Sequence, residues 1–149
     1  MSDFNVTVQW QRTSSDFKYE TYNRQHTVRF NGGLQIANSS APEFAGDASL
    51  PNPEELLASA IGSCFMLTFL AVSSKGGFTL DAYEDKPVAT LEKNEKGKMA
   101  VTKVVLRPRP TFSGTKPDAA KLQEMYSKSH ANCMISNSVS CQVSIEGQG

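Results

Sequence analysis

Three side chains in this 149-residue chain carry thiols, and two of them stand where a thiol could do redox chemistry. Cys64 lies inside the apolar run Glu-Glu-Leu-Leu-Ala-Ser-Ala-Ile-Gly-Ser-Cys-Phe-Met-Leu (54–67), and Cys133 lies in His-Ala-Asn-Cys-Met-Ile-Ser-Asn-Ser (130–138). Brought together by the fold, they would form a dithiol able to cycle through a disulfide. Kept apart, they would be two small hydrophobes, because free cysteine is among the most buried residue types. Spacing alone leaves both readings open.

A reactive thiol needs its pKa lowered from about 8.5 by a helix N-terminus or a nearby cation. Cys64 lies in mid-helix sequence, so its charge must be imported, and arginine suits that task because it stays protonated when enclosed. Cys133 comes just before a turn in which the N–H groups of Ile135 and Ser136 would be free to favour a thiolate. Cys141 alternates with Val139, Val143 and Ile145, so it reads as a buried structural thiol. Glu55 reads as a simple helix-start acid. Glu54 sits roughly 15 Å from Cys64 along an ideal helix and well off its face. It could serve such a site only through a bent-over N-terminus or from a symmetry-related chain. His130 and Cys133 lack the second closely spaced ligand pair of a zinc signature, so no metal site is expected, and His130 is expected to cap its helix.

The elements that must position these residues follow from pattern. Phe4, Val6, Val8 and Trp10 alternate with polar residues, which predicts a half-buried strand. Ser14-Ser15-Asp16 reads as a turn, Phe17–Tyr22 and His26–Phe30 as strands, and Asn31-Gly32-Gly33 as the hairpin before Leu34–Ala37. A long loop, 38–53, precedes a helix that starts near Pro53 and stops at Ser74-Lys75-Gly76-Gly77. Because this helix is apolar nearly all round, it should be enclosed by sheet, or by sheet and a partner chain. A hairpin, 82–92 with 98–107, is expected to end at Pro108 and Pro110. Thr115-Lys-Pro-Asp118 reads as a capping box for a second helix to about Ala131, with a core stripe of Ala119, Leu122, Met125 or Tyr126, and Ser129. A short turn at Cys133 and a strand through Val139–Ile145 close an α+β domain spanning 1–149.

A single domain of this length buries about 68–70% of its unfolded surface and needs no disulfide or metal staple. Lysine plus arginine and aspartate plus glutamate number 15 each, with no basic block, which argues against nucleic acid or an anionic membrane as partner. The apolar run from Leu56 to Val72 is short for a membrane span and is interrupted by Ser59, Gly62, Ser63 and Thr68, so a core helix is expected. The N-terminus lacks the features of a secretory signal, and three cysteines suit a reducing compartment; both point to the cytoplasm.

Asn52-Pro53-Glu54-Glu55-Leu56-Leu57-Ala58 leading to Cys64-Phe65, Cys133-x-x-Ser136-Asn137 before an alternating strand, and Arg24 upstream of Leu34 together resemble the OsmC/Ohr family of organic hydroperoxide reductases. Leu50-Pro51 departs from the family's usual Gly-Thr, and Met134 replaces a common proline; neither removes a reactive group. The resemblance implies antiparallel sheets packed around a long buried central helix, in an intertwined homodimer with active sites at the interface. It implies a thiol peroxidase in which Cys64 attacks the O–O bond and becomes a sulfenic acid, and Cys133 resolves it as a disulfide. Arg24, with Arg29 as a competitor for the role, would stabilise the thiolate, and Glu54 would orient the arginine. No cofactor is implied beyond an external dithiol, typically a lipoyl protein in relatives. Phe44, Phe65 and Phe69 are expected to wall an apolar peroxide pocket. The rival readings are a redox sensor and a small-molecule-binding dimer of the same fold.

Overall fold

The computed structural model describes residues 1–147 and divides into two compact units, Met1–Leu56 and a second from Leu57 on. In the first, β1 (Val6–Gln9), β2 (His26–Phe30) and β3 (Gln35–Asn38) form an antiparallel sheet in that order, with Val8 opposite Val28 and Val28 opposite Ile36. The β2–β3 turn is the expected Asn31-Gly32-Gly33, where Gly33 takes φ 96°, a conformation glycine adopts without strain. β1 is exposed along its whole length, so its alternation does not mark a half-buried strand within one chain. The segment Phe17–Tyr22 is not a strand. Thr21 and Tyr22 both donate their N–H to the Lys18 carbonyl, and the Thr21 hydroxyl bonds Asp16. The resulting turn gathers Trp10, Phe17, Tyr19 and Tyr22 into a ring cluster with centroids 5.0–6.3 Å apart. A single 3-10 turn, Pro42–Phe44, interrupts the loop that follows.

The helix α1 runs Pro53–Lys75. Asn52 Oδ1 accepts the Glu55 N–H at 2.9 Å while Glu55 Oε2 accepts the Asn52 N–H at 3.4 Å, a reciprocal capping box that fixes the start. Gly76 and Gly77 take over at the end, with Gly77 at φ 81°. By length and composition α1 could cross a membrane, yet Ile61, Phe65 and Phe69 are fully buried in the protein core. The expected enclosure on all sides does not hold within one chain: Leu67 and Leu70 are 60% and 38% exposed.

The sequence-based hairpin 82–107 is split by the structure. β4 (Thr79–Glu84) leaves to pair antiparallel with β7 (Arg109–Ser113), while β5 (Val88–Lys93) pairs with β6 (Met99–Leu106). Asp85 pins the division by accepting the Arg107 N–H at 2.7 Å on Oδ1. Pro110 does not end the structure; it sits in β7, which has one neighbour and can spare an N–H. Val104 and Leu106 face the core while Lys103 and Arg107 face out. β8 (Gln142–Ile145) runs parallel to β6, so the sheets are not all antiparallel.

The second helix, α2, runs Ala119–Ala131 and is capped by Asp118 rather than Thr115: the Asp118 carboxylate accepts the Lys121 N–H. Its buried stripe is Leu122, Met125, Tyr126 and Ser129, with Ala119 exposed. Phe65, Phe69 and Tyr126 meet at 5.2–6.3 Å and form the centre of the core with Val104 and Leu106. At Gly62, α1 comes close to the β4–β5 link, where an added Cβ would lie 2.8 Å from Pro87 Cγ.

Candidate functional site

Cys64 is half-buried on the flank of α1, next to the fully buried Phe65, and its carbonyl accepts the Thr68 hydroxyl at 2.9 Å. Its peptide lies in regular helix, where N–H groups are committed to the ladder. Cys133 comes from the other end of the second unit's sequence. α2 ends at Ala131, and the chain then folds into a stitched turn: Cys133 N–H to the His130 carbonyl at 3.2 Å, and Asn137 N–H to the Cys133 carbonyl at 3.0 Å. Asn137 Nδ2 to the Ala131 carbonyl and the Ser138 hydroxyl to the Met134 carbonyl complete it. This turn holds the Cys133 side chain fully buried in the core.

The two sulfurs are brought together. The Cys64 and Cys133 thiols are close enough for one to shift the titration of the other, and all three cysteines are free. The Ser136 hydroxyl donates to Cys133 Sγ at 3.1 Å, and the Ser136 backbone also favours the charged form of the thiol. Burial pushes the Cys133 thiol up from its ordinary value, and the Cys64 thiol adds to that push. The Ser136 hydroxyl and backbone pull the other way, since hydrogen bonds to the charged form favour it. Cys141 stands apart from this pair. It is half-buried just before β8 rather than sealed on a strand face, and packs at the edge of the core.

Glu55 closes the capping box, whereas Glu54 Oε2 is buried without a hydrogen-bond partner. A carboxylate oxygen removed from water in this way is costly unless a donor or cation meets it. Arg24, in the loop before β2, donates to the carbonyls of Tyr19 and Tyr22, and its guanidinium carbon lies 4.7 Å and 3.7 Å from their ring centroids. It borders a concavity of about 410 Å³ lined by Trp10, Phe17, Tyr22, His26 and Pro53. No ion pair joins Arg24 to Glu54 among the described residues; the pairs found are Lys86–Glu84, Arg107–Glu146 and Lys121–Glu124. Arg29 is exposed on β2, opposite Thr7 and Gln35.

His130 does not cap α2; Asn132 does, and His130 Nδ1 is buried without a partner. No cluster of metal-ligating side chains occurs among the described residues. Phe65 and Phe69, expected to wall a peroxide pocket, are sealed in the core, and only Phe44 of that trio is exposed. Sequence reading missed the Ser136 hydroxyl as a partner for sulfur, although a serine three residues beyond a cysteine in a turn is the signal for it. It also missed the two tyrosines around Arg24, which stand two and five residues before it.

The family model described as OsmC-like protein matches residues 46–147. Among curated proteins, peroxiredoxin OsmC of Escherichia coli is 27% identical over 97 residues, which cover 65% of this chain and 66% of that protein, just under two thirds of its length. An OsmC-like protein of unknown function from Vibrio cholerae superposes with a TM-score of 0.95 at 40% identity, covering 99% of this chain and 100% of that one. The organic hydroperoxide resistance protein OhrB of Bacillus subtilis shares the fold at a TM-score of 0.69 and 21% identity, over 99% of this chain and 98% of that one.

Proposed function

The chain belongs to the OsmC-like protein family, and from that premise we propose that it is a thiol peroxidase reducing organic hydroperoxides to alcohols. The observation that carries this reading is the neighbouring pair of free thiols, Cys64 and Cys133, held in one core from opposite ends of the second unit. Peroxiredoxin and hydroperoxide-resistance names among similar proteins support it at the level of the family.

The Cys64 thiolate attacks the distal peroxide oxygen; the O–O bond breaks, the alkoxide takes a proton and leaves as alcohol, and Cys64 becomes a sulfenic acid. Cys133 then attacks that sulfur, water leaves, and an intramolecular disulfide forms. An external dithiol, such as a lipoyl group on a protein partner, reduces the disulfide and is itself oxidised. Because burial keeps the Cys133 thiol protonated near neutral pH, it does not compete with Cys64 for peroxide. The cation that Cys64 needs is assigned to Arg24, and the orphaned Glu54 carboxylate is assigned to orient it across a homodimer. The uncovered Leu67 and Leu70 on α1 and the exposed β1 support a dimer in which a second copy covers them. The setting proposed is the cytoplasm, with neither nucleic acid nor membrane as partner and no metal or bound cofactor.

One equivalent of cumene hydroperoxide should consume two thiols, join Cys64 to Cys133 by mass mapping, leave Cys141 free and release one equivalent of alcohol. Cys64→Ser should release none. Finding both cysteines still reduced would overturn the reading. Fast disulfide formation with no turnover in any dithiol would replace it with a redox sensor.

A further inference from the structure

We propose that Ser136 is a positioning residue that eases the departure of Cys133 when an external dithiol opens the Cys64–Cys133 disulfide at Cys64. The inference rests on the peroxidase reading above for its biological setting, but its geometry is independent of the oxidant. Ser136 Oγ donates to Cys133 Sγ at 3.1 Å. Among the described residues the hydroxyl has no other acceptor. The turn that carries it is fastened at both ends by Cys133, Asn137 and Ser138, so the hydroxyl is held in place before charge develops.

The two sulfurs are therefore not equivalent. In thiol–disulfide exchange the attacked sulfur keeps a bond while the leaving sulfur takes the electron pair, and the better-stabilised thiolate leaves faster. Cys133 has the Ser136 hydroxyl aimed at it. Burial makes charge on Cys133 costly, and the Ser136 hydroxyl offsets part of that cost. Access selects the attacked sulfur, because Cys133 is fully buried and Cys64 is half-buried. One thiolate of the reductant bonds to Cys64, the S–S bond breaks, and its electron pair goes to Cys133 beside the Ser136 hydroxyl. The reductant's second thiol then displaces Cys64, closing the reductant's own disulfide. Its two protons end on the two cysteines.

The test uses the full chain oxidised with diamide, so that no peroxide chemistry enters. Glutathione, followed by an acid quench and mass mapping, reports which cysteine carries the mixed disulfide; stopped-flow with dithiothreitol reports the rate. The wild type should carry glutathione on Cys64. Ser136→Ala should be reduced about tenfold more slowly, the effect of one hydrogen bond to a charged group, with part of the adduct moved to Cys133. Ser136→Thr, which keeps the hydroxyl, should restore both. Should Ser136→Ala fold poorly, Ser136→Gly serves the same purpose, with the melting temperature as control. A wild-type adduct on Cys133, or a hydroxyl-less variant with wild-type rate and adduct site, would overturn the inference. If diamide gives the Ser136-dependent pattern while cumene hydroperoxide gives no disulfide, the peroxidase reading falls and this one stands.

Discussion

At Cys64 the backbone is mid-helix, its N–H groups tied into the ladder and its carbonyl shared with Thr68. At Cys133 the helix has just ended and the backbone turns, with the Ser136 hydroxyl donating to the sulfur. The first thiol is half-buried and depends on a charge brought from elsewhere; the second is fully buried and carries its own local donor. One residue type thus supports two roles because backbone conformation decides which donors are free. In the proposed cycle the attacking thiol is the accessible one and the resolving thiol is the one with a local donor.

The largest effect that would break this contrast comes from Cys133→Ser. It should abolish turnover while leaving a single burst of one alcohol equivalent per chain, with a sulfenic acid on Cys64 that a cyclic diketone traps. Continued turnover in that variant would mean that Cys133 has no resolving role. Next comes the imported charge. Arg24→Ala should lower kcat/KM for cumene hydroperoxide by about 10²–10³, the loss typical of one fixed electrostatic group, whereas Arg29→Ala should leave it unchanged. The reverse pattern would move the assignment to β2.

A smaller effect tests how firmly Cys64 is aimed. Gly62→Ala gains helix propensity but puts a Cβ 2.8 Å from the rigid Pro87 ring. A net destabilisation of about 1 kcal/mol is expected after the roughly 1 kcal/mol propensity gain, lowering Tm by about 2–4 °C. The smallest effect concerns the polar group below that contact. Asp85 Oδ2 and the hydroxyls of Tyr83 and Tyr126 are buried without partners. Burial raises the Asp85 pKa above its ordinary 3.8, against the pull of its bond from Arg107. Burial, with the Asp85 charge, pushes the Tyr126 hydroxyl up to about 12. The folded carboxyl therefore holds its proton more tightly than the unfolded one. Its contribution to stability is full below pH 3.8 and is lost as pH rises through the folded value. Asp85→Asn, which keeps an acceptor for the Arg107 N–H, should flatten the decline in Tm between about pH 4 and pH 7. An unchanged slope would show that Asp85 ionises without cost.

Local signals carried much of the fold. The ends of α1 were readable because Asn52, Pro53 and Glu55 form a capping box and Lys75-Gly76-Gly77 a stop, all within a few residues of the bonds they make. The turn between β5 and β6 was readable for the same reason, since Asn94 Oδ1 accepts the N–H groups of Lys96 and Lys98. Strand partnership was not. Period-two alternation says which face is buried but not which strand lies alongside, and the β4–β7 pairing depends on an Asp85–Arg107 bond across the chain. The aromatic run Phe17–Tyr22 has strand composition, yet its N–H groups close a turn. At the site, the motif residues Cys64, Cys133 and Glu54 could be named, but the meeting of the two thiols and the empty hand of Glu54 are three-dimensional facts.

The notch at Gly62 has a consequence for tolerance to sequence change. Successive residues on a helix are turned by about 100°, so positions 62 and 64 point to nearly opposite sides of α1. The ring of Pro87 seated against Gly62 therefore acts as a key that sets the azimuth of the helix, and so the bearing of the Cys64 sulfur. Lengthening the 76–87 stretch would reach the thiol as a rotation, leaving every reactive group intact but misaimed.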